Sequence, residues 1–202
     1  NFPITRPLEF DRDQALMSAL GVFWRQGYQA ASVPDLLEAT GLSRSSLYAA
    51  FGDKRGLYLQ CLDLYTARTL GLLAQTRAEH PPLVALRVFF ERTLFQPGCL
   101  LVNTTLEMAE VDDSLRDEAG VRMAQVQEAF EVCLRDAGCT PSQAAELAGF
   151  LMLINQGLRV SSRRDLTPET RQAQLDTAFK ILAAAIPQAA LRPPEPEPSH
   201  EA

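Results

Sequence analysis

Three hydroxyls, a guanidinium and a phenol fall together at Ser43, Arg44, Ser45, Ser46 and Tyr48, where a short helix is predicted to begin. A helix start presents unpaired backbone N–H groups and the positive end of the helix dipole, so donors clustered there are equipped to hold a phosphate. A guanidinium can in addition read the edge of a guanine in bidentate fashion. From Ser43 to Arg55 the chain is locally positive, with Arg44, Lys54 and Arg55 against Asp53. If any part of this chain meets DNA, it is this one.

The rest of the charge lies elsewhere. The first 60 residues carry six basic and six acidic side chains, so the whole formal net charge of −6 arises after them. A coat of phosphate-binding charge is therefore excluded, and contact with an acidic polymer must be local. Other chemistries find little support. Cys61, Cys99, Cys133 and Cys139 form no CxxC pair and the histidines are His80 and His200 alone, so the ligand set of a structural zinc site is missing. Neither a glycine-rich phosphate loop nor a nucleophile elbow is present. No enzyme, metal or cofactor is expected, and His80→Ala should be functionally silent. Apolar runs such as Ala183 to Ile186 fall far short of the roughly 20 residues that span a bilayer. No membrane association and a cytoplasmic location are expected.

Apolar residues recur at helical i, i+3, i+4 spacing from end to end, and no alternating stretch rich in Val, Ile and Thr persists, which predicts an all-α fold. Helix one is predicted over Arg12 to Gln26, capped by Asp11 and stopped by Gly27. Ser32 caps Val33 to Thr40, Gly41 turns the chain, and Ser43 caps a third helix through Ala50. A long fourth helix begins near Asp53 and runs to Glu79 before Pro81-Pro82. Further helices are predicted at about 83–95, 100–110, 114–136, 142–159 and 168–186, with Thr140-Pro141 and Thr167-Pro168 marking two of the starts. Five of the 13 prolines lie after residue 186 with almost nothing to bury, so 187–202 is expected to be a disordered tail.

Two short helices joined by a glycine turn, the second with a small, polar outward face, are what a helix-turn-helix needs to enter a major groove about 12 Å wide. Val33, Leu36, Leu37, Leu42, Leu47 and Phe51 supply its inward positions. The run Gly27-Tyr28, Ser32-Val33, Leu36, Thr40-Gly41-Leu42-Ser43, Leu47-Tyr48, Phe51-Gly52-Asp53-Lys54 and Leu57 resembles, in order and spacing, the DNA-binding signature of the tetracycline-repressor (TetR) family. The resemblance implies a ligand-released repressor that binds a palindromic double-stranded DNA operator as a homodimer. It implies phosphate contacts from Ser32, Ser43, Ser46, Tyr48 and Lys54, and base reading by Arg44 and Ser45. Ala49 and Ala50 stand where many relatives carry larger side chains, so methyl contacts from the alanines to thymine are expected instead. Taken singly, Tyr48 also fits a packed tyrosine and Lys54 the solvated flank of helix four.

The expected domains are a helix-turn-helix head at 1–53 and a helical ligand-binding and dimerisation domain at 54–186. For the latter, the resemblance implies a four-helix bundle built from the last two helices of each subunit. Independently, Ala144, Leu147, Ala148, Gly149, Leu151, Ile154, Gly157 and Leu158 make the eighth helix apolar nearly all round, so both sides need covering. Asn103-Thr104-Thr105 interrupt an apolar helix, and buried polar groups need partners. A site for an unidentified small-molecule effector is therefore expected from Phe90, Cys99, Asn103, Leu106, Phe130 and Asn155. Cys99, at a helix start, is either a reactive thiol or, like Cys61 and Cys133, a small buried hydrophobe, with Cys139 in a turn expected to be exposed. The rival reading is a helical scaffold whose helix-turn-helix serves only packing.

Overall fold

Asp11 accepts the Gln14 amide at 3.0 Å and so opens α1 (Arg12–Gln26), which ends at Gly27, where φ is +83°. Ser32 and Asp35 cap α2 (Val33–Thr40) reciprocally, and Ser43 caps α3 (Arg44–Phe51). The long α4 (Lys54–Glu79) follows, then α5 (Pro82–Thr93), α6 (Leu100–Met108), α7 (Asp113–Asp136), α8 (Pro141–Ser161) and α9 (Pro168–Ala185). Thr140 with Gln143 forms a second reciprocal cap, and Thr167 accepts the Thr170 amide to start α9. Every predicted helix is found with ends within two residues of its expected bounds. This computed structural model describes residues 11–96 and 98–186, all of whose regular structure is helical. The expected tail at 187–202 lies outside them. Among the described residues no helix is long and apolar enough to cross a membrane.

The chain divides into two compact units, Asn1–Gly71 with Gly98–Val126 and Leu72–Pro97 with Gln127–Ala202. Unit 1 thus takes in α6 and the first part of α7 together with the three helices of the expected head. Its core holds Ala19, Phe23, Leu36, Leu47, Leu57, Tyr58, Cys61 and Leu62, all within 1 % of complete burial. The Phe23 ring meets Tyr58 edge-on at 4.7 Å, and Tyr28 lies 4.8 Å from Tyr58 on another side. At the surface of this unit Asp63 accepts two hydrogen bonds from Arg122, at 2.6 and 2.9 Å.

Unit 2 is organised by aromatic rings. Phe90 lies 5.6 Å from Phe89, 5.5 Å from Phe130 and 5.5 Å from Phe179, mostly edge to face, the arrangement that ring quadrupoles favour. Phe90 and Phe130 are completely buried. Arg159 reaches into the same unit and donates to the Thr93 carbonyl and hydroxyl. All four cysteines are buried and unpaired as disulfides. Cys139, expected in an exposed turn, is a correction: its amide bonds back to the Leu134 carbonyl at 3.1 Å and the side chain is folded inward. Burial pushes the Cys61 thiol up to about 12 and the Cys133 thiol to about 11, which holds both in the protonated form at neutral pH.

Because Phe130 meets two other rings and no solvent, Phe130→Ala should destabilise the fold by about 3–5 kcal/mol. Urea unfolding followed by circular dichroism measures this, and a loss below about 1 kcal/mol would mean that the ring lines a void rather than a core.

Candidate nucleic-acid interface

The two helices of the motif are eight residues each, too short to persist alone, and are held by what they bury. Leu36 from α2 and Leu47 and Phe51 from α3 lie in the core, with Leu37 and Leu42 packed against it. Gly41 joins them at φ +68°, ψ 13°, and its N–H reaches the Leu37 carbonyl at 2.9 Å. A Cβ there would meet no atom within 4 Å, so the need for glycine is in the backbone angle and not in space.

With Leu47 and Phe51 turned inward one helical turn apart, the opposite face of α3 carries Ser45 and Ala49 into solvent; Arg44 is exposed at the first position of the helix, and Ser46 and Tyr48 are half-buried. No acidic side chain lies on α3. The hydroxyls at its start form a chain. Ser43 Oγ accepts the Ser46 amide at 3.2 Å and donates to Ser46 Oγ at 2.9 Å. Since Ser43 has a single proton, the 3.0 Å contact with Ser45 Oγ requires Ser45 to donate to Ser43. The hydroxyl proton that this chain does not use is that of Ser46, at the helix start. Ser32 is placed differently. It is exposed at the start of α2, but its hydroxyl donates to the Asp35 carboxylate at 2.7 Å, and that bond holds the Asp35 carboxyl below its ordinary value.

Lys54 does not extend freely from α4. Its Nζ lies 4.7 Å from the centre of the Tyr28 ring and donates to the Gln29 carbonyl at 3.4 Å. Burial lowers its pKa, with Glu107 acting in the opposite sense. The neighbouring Arg55 is paired to Asp112, whose carboxyl the guanidinium holds below the ordinary range. Nothing local in the sequence singles out Glu107 or Asp112, which reach the head from α6 and from the start of α7.

The six expected effector residues are distributed over both units. Phe90, Phe130 and Asn155 belong to unit 2, where Asn155 Oδ1 accepts from Arg159 at 3.3 Å. Cys99 and Asn103 belong to unit 1, buried and half-buried respectively. Leu106, also in unit 1, is 68 % exposed because it lies on the outward face of α6. The polar residues beside Asn103 have partners within the chain. Thr104 donates to the Leu100 carbonyl at 2.7 Å and therefore accepts from the Tyr58 hydroxyl at 2.6 Å, while Thr105 donates to the Leu101 carbonyl at 3.0 Å. The expectation that these threonines need a ligand is thus corrected, since helix carbonyls and a tyrosine satisfy them. A cleft of about 260 Å³ in unit 2 is lined by Ala74, Arg77, Ala78, His80, Pro82 and Asp136, none of them among the six.

Known proteins resemble this chain in sequence and fold. Residues 15–61 match the profile described as bacterial regulatory proteins, tetR family, and residues 83–179 match the C-terminal domain of LmrA/YxaF-like transcriptional regulators. The chain is 33 % identical over 192 residues to the HTH-type transcriptional repressor ComR of Escherichia coli (strain K12), covering 87 % of this chain and 90 % of that protein. BdcR, an HTH-type transcriptional repressor of the same strain, is 28 % identical over 165 residues, covering 78 % and 82 %. Among solved structures, a cysteine mutant of the TetR family transcriptional regulator CifR, complexed with 26-bp double-strand operator DNA, is 30 % identical. It superposes with a TM-score of 0.70 over 87 % of this chain and 98 % of that one. A TetR family regulator from Cytophaga hutchinsonii shares the fold, with a TM-score of 0.74 at 20 % identity over 86 % and 93 %. Fold and site define a DNA-binding transcriptional regulator with an N-terminal helix-turn-helix. The chain belongs to the TetR family.

The serine chain makes a local prediction. Ser43→Ala removes the cap of α3 and should cost about 1 kcal/mol, whereas Ser45→Ala keeps the cap and should stay within about 0.5 kcal/mol of the parent. Urea midpoints of the two variants that coincide would show that Ser43 does not hold the helix start.

Proposed function

We propose that this chain is a cytoplasmic, non-enzymatic repressor that binds a palindromic double-stranded operator as a homodimer and is released by a small molecule. The observation that carries it is the exposed start and outward face of α3, where Arg44 at the first position and Ser45 and Ala49 on the outward face are exposed on a helix without acidic residues. In this reading Arg44 and Ser45 contact base edges, Ala49 contacts a thymine methyl, and Ser32, Ser43, Ser46, Tyr48 and Lys54 contact phosphates. Residues 1–53 form the reading head and 54–186 the effector and dimerisation part.

The homodimer is supported by the last two helices. On α8, Leu153 and Val160 are exposed at 68 % and 52 %, with Gly157 between them carrying nothing within 4 Å of where a Cβ would be. On α9, Ile181 is 55 % exposed, flanking the buried stripe of Leu175, Ala178 and Leu182. Apolar stripes of this kind, interrupted by glycine, suit close helix packing against a second copy. A twofold pair reads two half-sites about 34–36 Å apart. The effector site is proposed to draw on Phe90, Phe130 and Asn155 of unit 2, and a ligand there releases DNA only through its differential affinity for the two states.

The test is selection of bound duplexes from a random-sequence pool, with sedimentation to give the oligomeric state. The expected result is a palindromic sequence bound by two subunits. Arg44→Ala should weaken binding to it by about 1–3 kcal/mol, mainly at one base position per half-site, while Tm stays at the parental value. Leu153→Glu with Ile181→Glu should yield a monomer that no longer binds the full palindrome. Recovery of no preferred sequence, or a monomeric parent at micromolar concentration, would overturn the reading.

A further inference from the structure

The turn between α1 and α2 is held by a side chain far along the chain. Glu107, near the end of α6, accepts the Tyr28 amide at 2.9 Å through one carboxylate oxygen and the Gln29 amide at 2.7 Å through the other. Two successive N–H groups aimed at one carboxylate form an anion cradle, and bonds to an ionised acceptor are about twice as strong as neutral ones. Gly27 completes the cradle. A Cβ on Gly27 would lie 2.8 Å from the nearer Glu107 oxygen, and its φ of +83° disfavours a side chain in any case. From the other side Lys54 covers the Tyr28 ring and bonds the Gln29 carbonyl.

Glu107 is itself firmly based. Met108, the next residue, is buried, and Thr104, one turn earlier, is tied to Tyr58. Five residues beyond Glu107, Asp112 pairs with Arg55 in the first turn of α4 and accepts the Leu115 amide at 3.0 Å. The corner between α6 and α7 thus grips the head at two points, before α2 and after α3. Only Ala30 and Ala31 separate the clamped turn from Ser32, the cap of α2.

We infer that Glu107 is a positioning residue for DNA binding: its carboxylate seats the α1–α2 turn and so sets the placement of α2 and α3. The inference rests on the proposed DNA binding of this chain.

The experiment uses the full-length protein and the palindromic duplex selected by the parent. Glu107→Ala should bind that duplex roughly tenfold or more weakly. Hydrogen exchange should show protection lost at the Tyr28 and Gln29 amides and retained at those of Phe90 and Phe130. Glu107→Gln, isosteric but offering one oxygen and an NH₂ group, should fall between parent and Ala, and it carries the comparison should Glu107→Ala lose its helical circular dichroism. Asp63→Ala, which breaks the Asp63–Arg122 pair in the same unit, should bind as the parent does. Parental affinity in the Glu107 variants, or an equal loss in Asp63→Ala, overturns the inference while leaving DNA binding intact. A parent that selects no duplex overturns the DNA reading and the inference with it.

Discussion

An isolated helix of eight residues gains too few hydrogen bonds to offset the cost of its first turn, and both helices of the reading motif are of that length. Their existence depends on burial. Leu36, Leu47 and Phe51 go into one core with Phe23 and Leu57, and each such side chain contributes about 1.5–3 kcal/mol. This inward commitment is what allows the outward face of α3 to be made of serine and alanine, small residues that bury little apolar area and leave room for a groove wall. The same constraint explains the left-handed Gly41 and the cap at Ser43, which end one helix and begin the next within three residues.

Charge is arranged with similar economy. Of the three basic residues between Ser43 and Arg55, two are engaged inside the fold, Lys54 over Tyr28 and Arg55 by Asp112. Arg44 stands at the first position of α3, exposed, with the serine hydroxyl chain beside it. A protein of net charge −6 can thus present a donor-rich surface to an anionic polymer without a broad basic patch. Glu107 and Asp112, which meet the α1–α2 turn and Arg55, are occupied with backbone amides and a guanidinium.

What could be read from the sequence was what acts locally. Asp11, Ser32, Ser43, Thr140 and Thr167 cap helices within three residues of themselves, and glycines at 27, 41 and 52 have the positive φ their positions required. Long-range partners left no such trace. Glu107 meets amides some 79 residues away, and no spacing rule connects α6 to that turn. Thr104 looked like a buried polar group in want of a ligand because its partner, Tyr58, lies 46 residues back. Cys139 was misplaced for a related reason: periodicity says that a helix or turn exists, whereas exposure depends on which neighbours cover it. Even where the helices were predicted to within two residues, the effector set fell across two units, because packing across the chain and not helix order decides which side chains share a core.

The claim that α3 is the surface that meets DNA can be tested by proximity alone. A photoreactive amino acid placed at Ser45, on the exposed start of α3, should crosslink to bases of a bound duplex on illumination. The same group at Ser142, exposed at the start of α8, serves as the reference. The account predicts base adducts from position 45 and none above background from position 142. Equal yields at the two positions, or adducts from 142 alone, would contradict it.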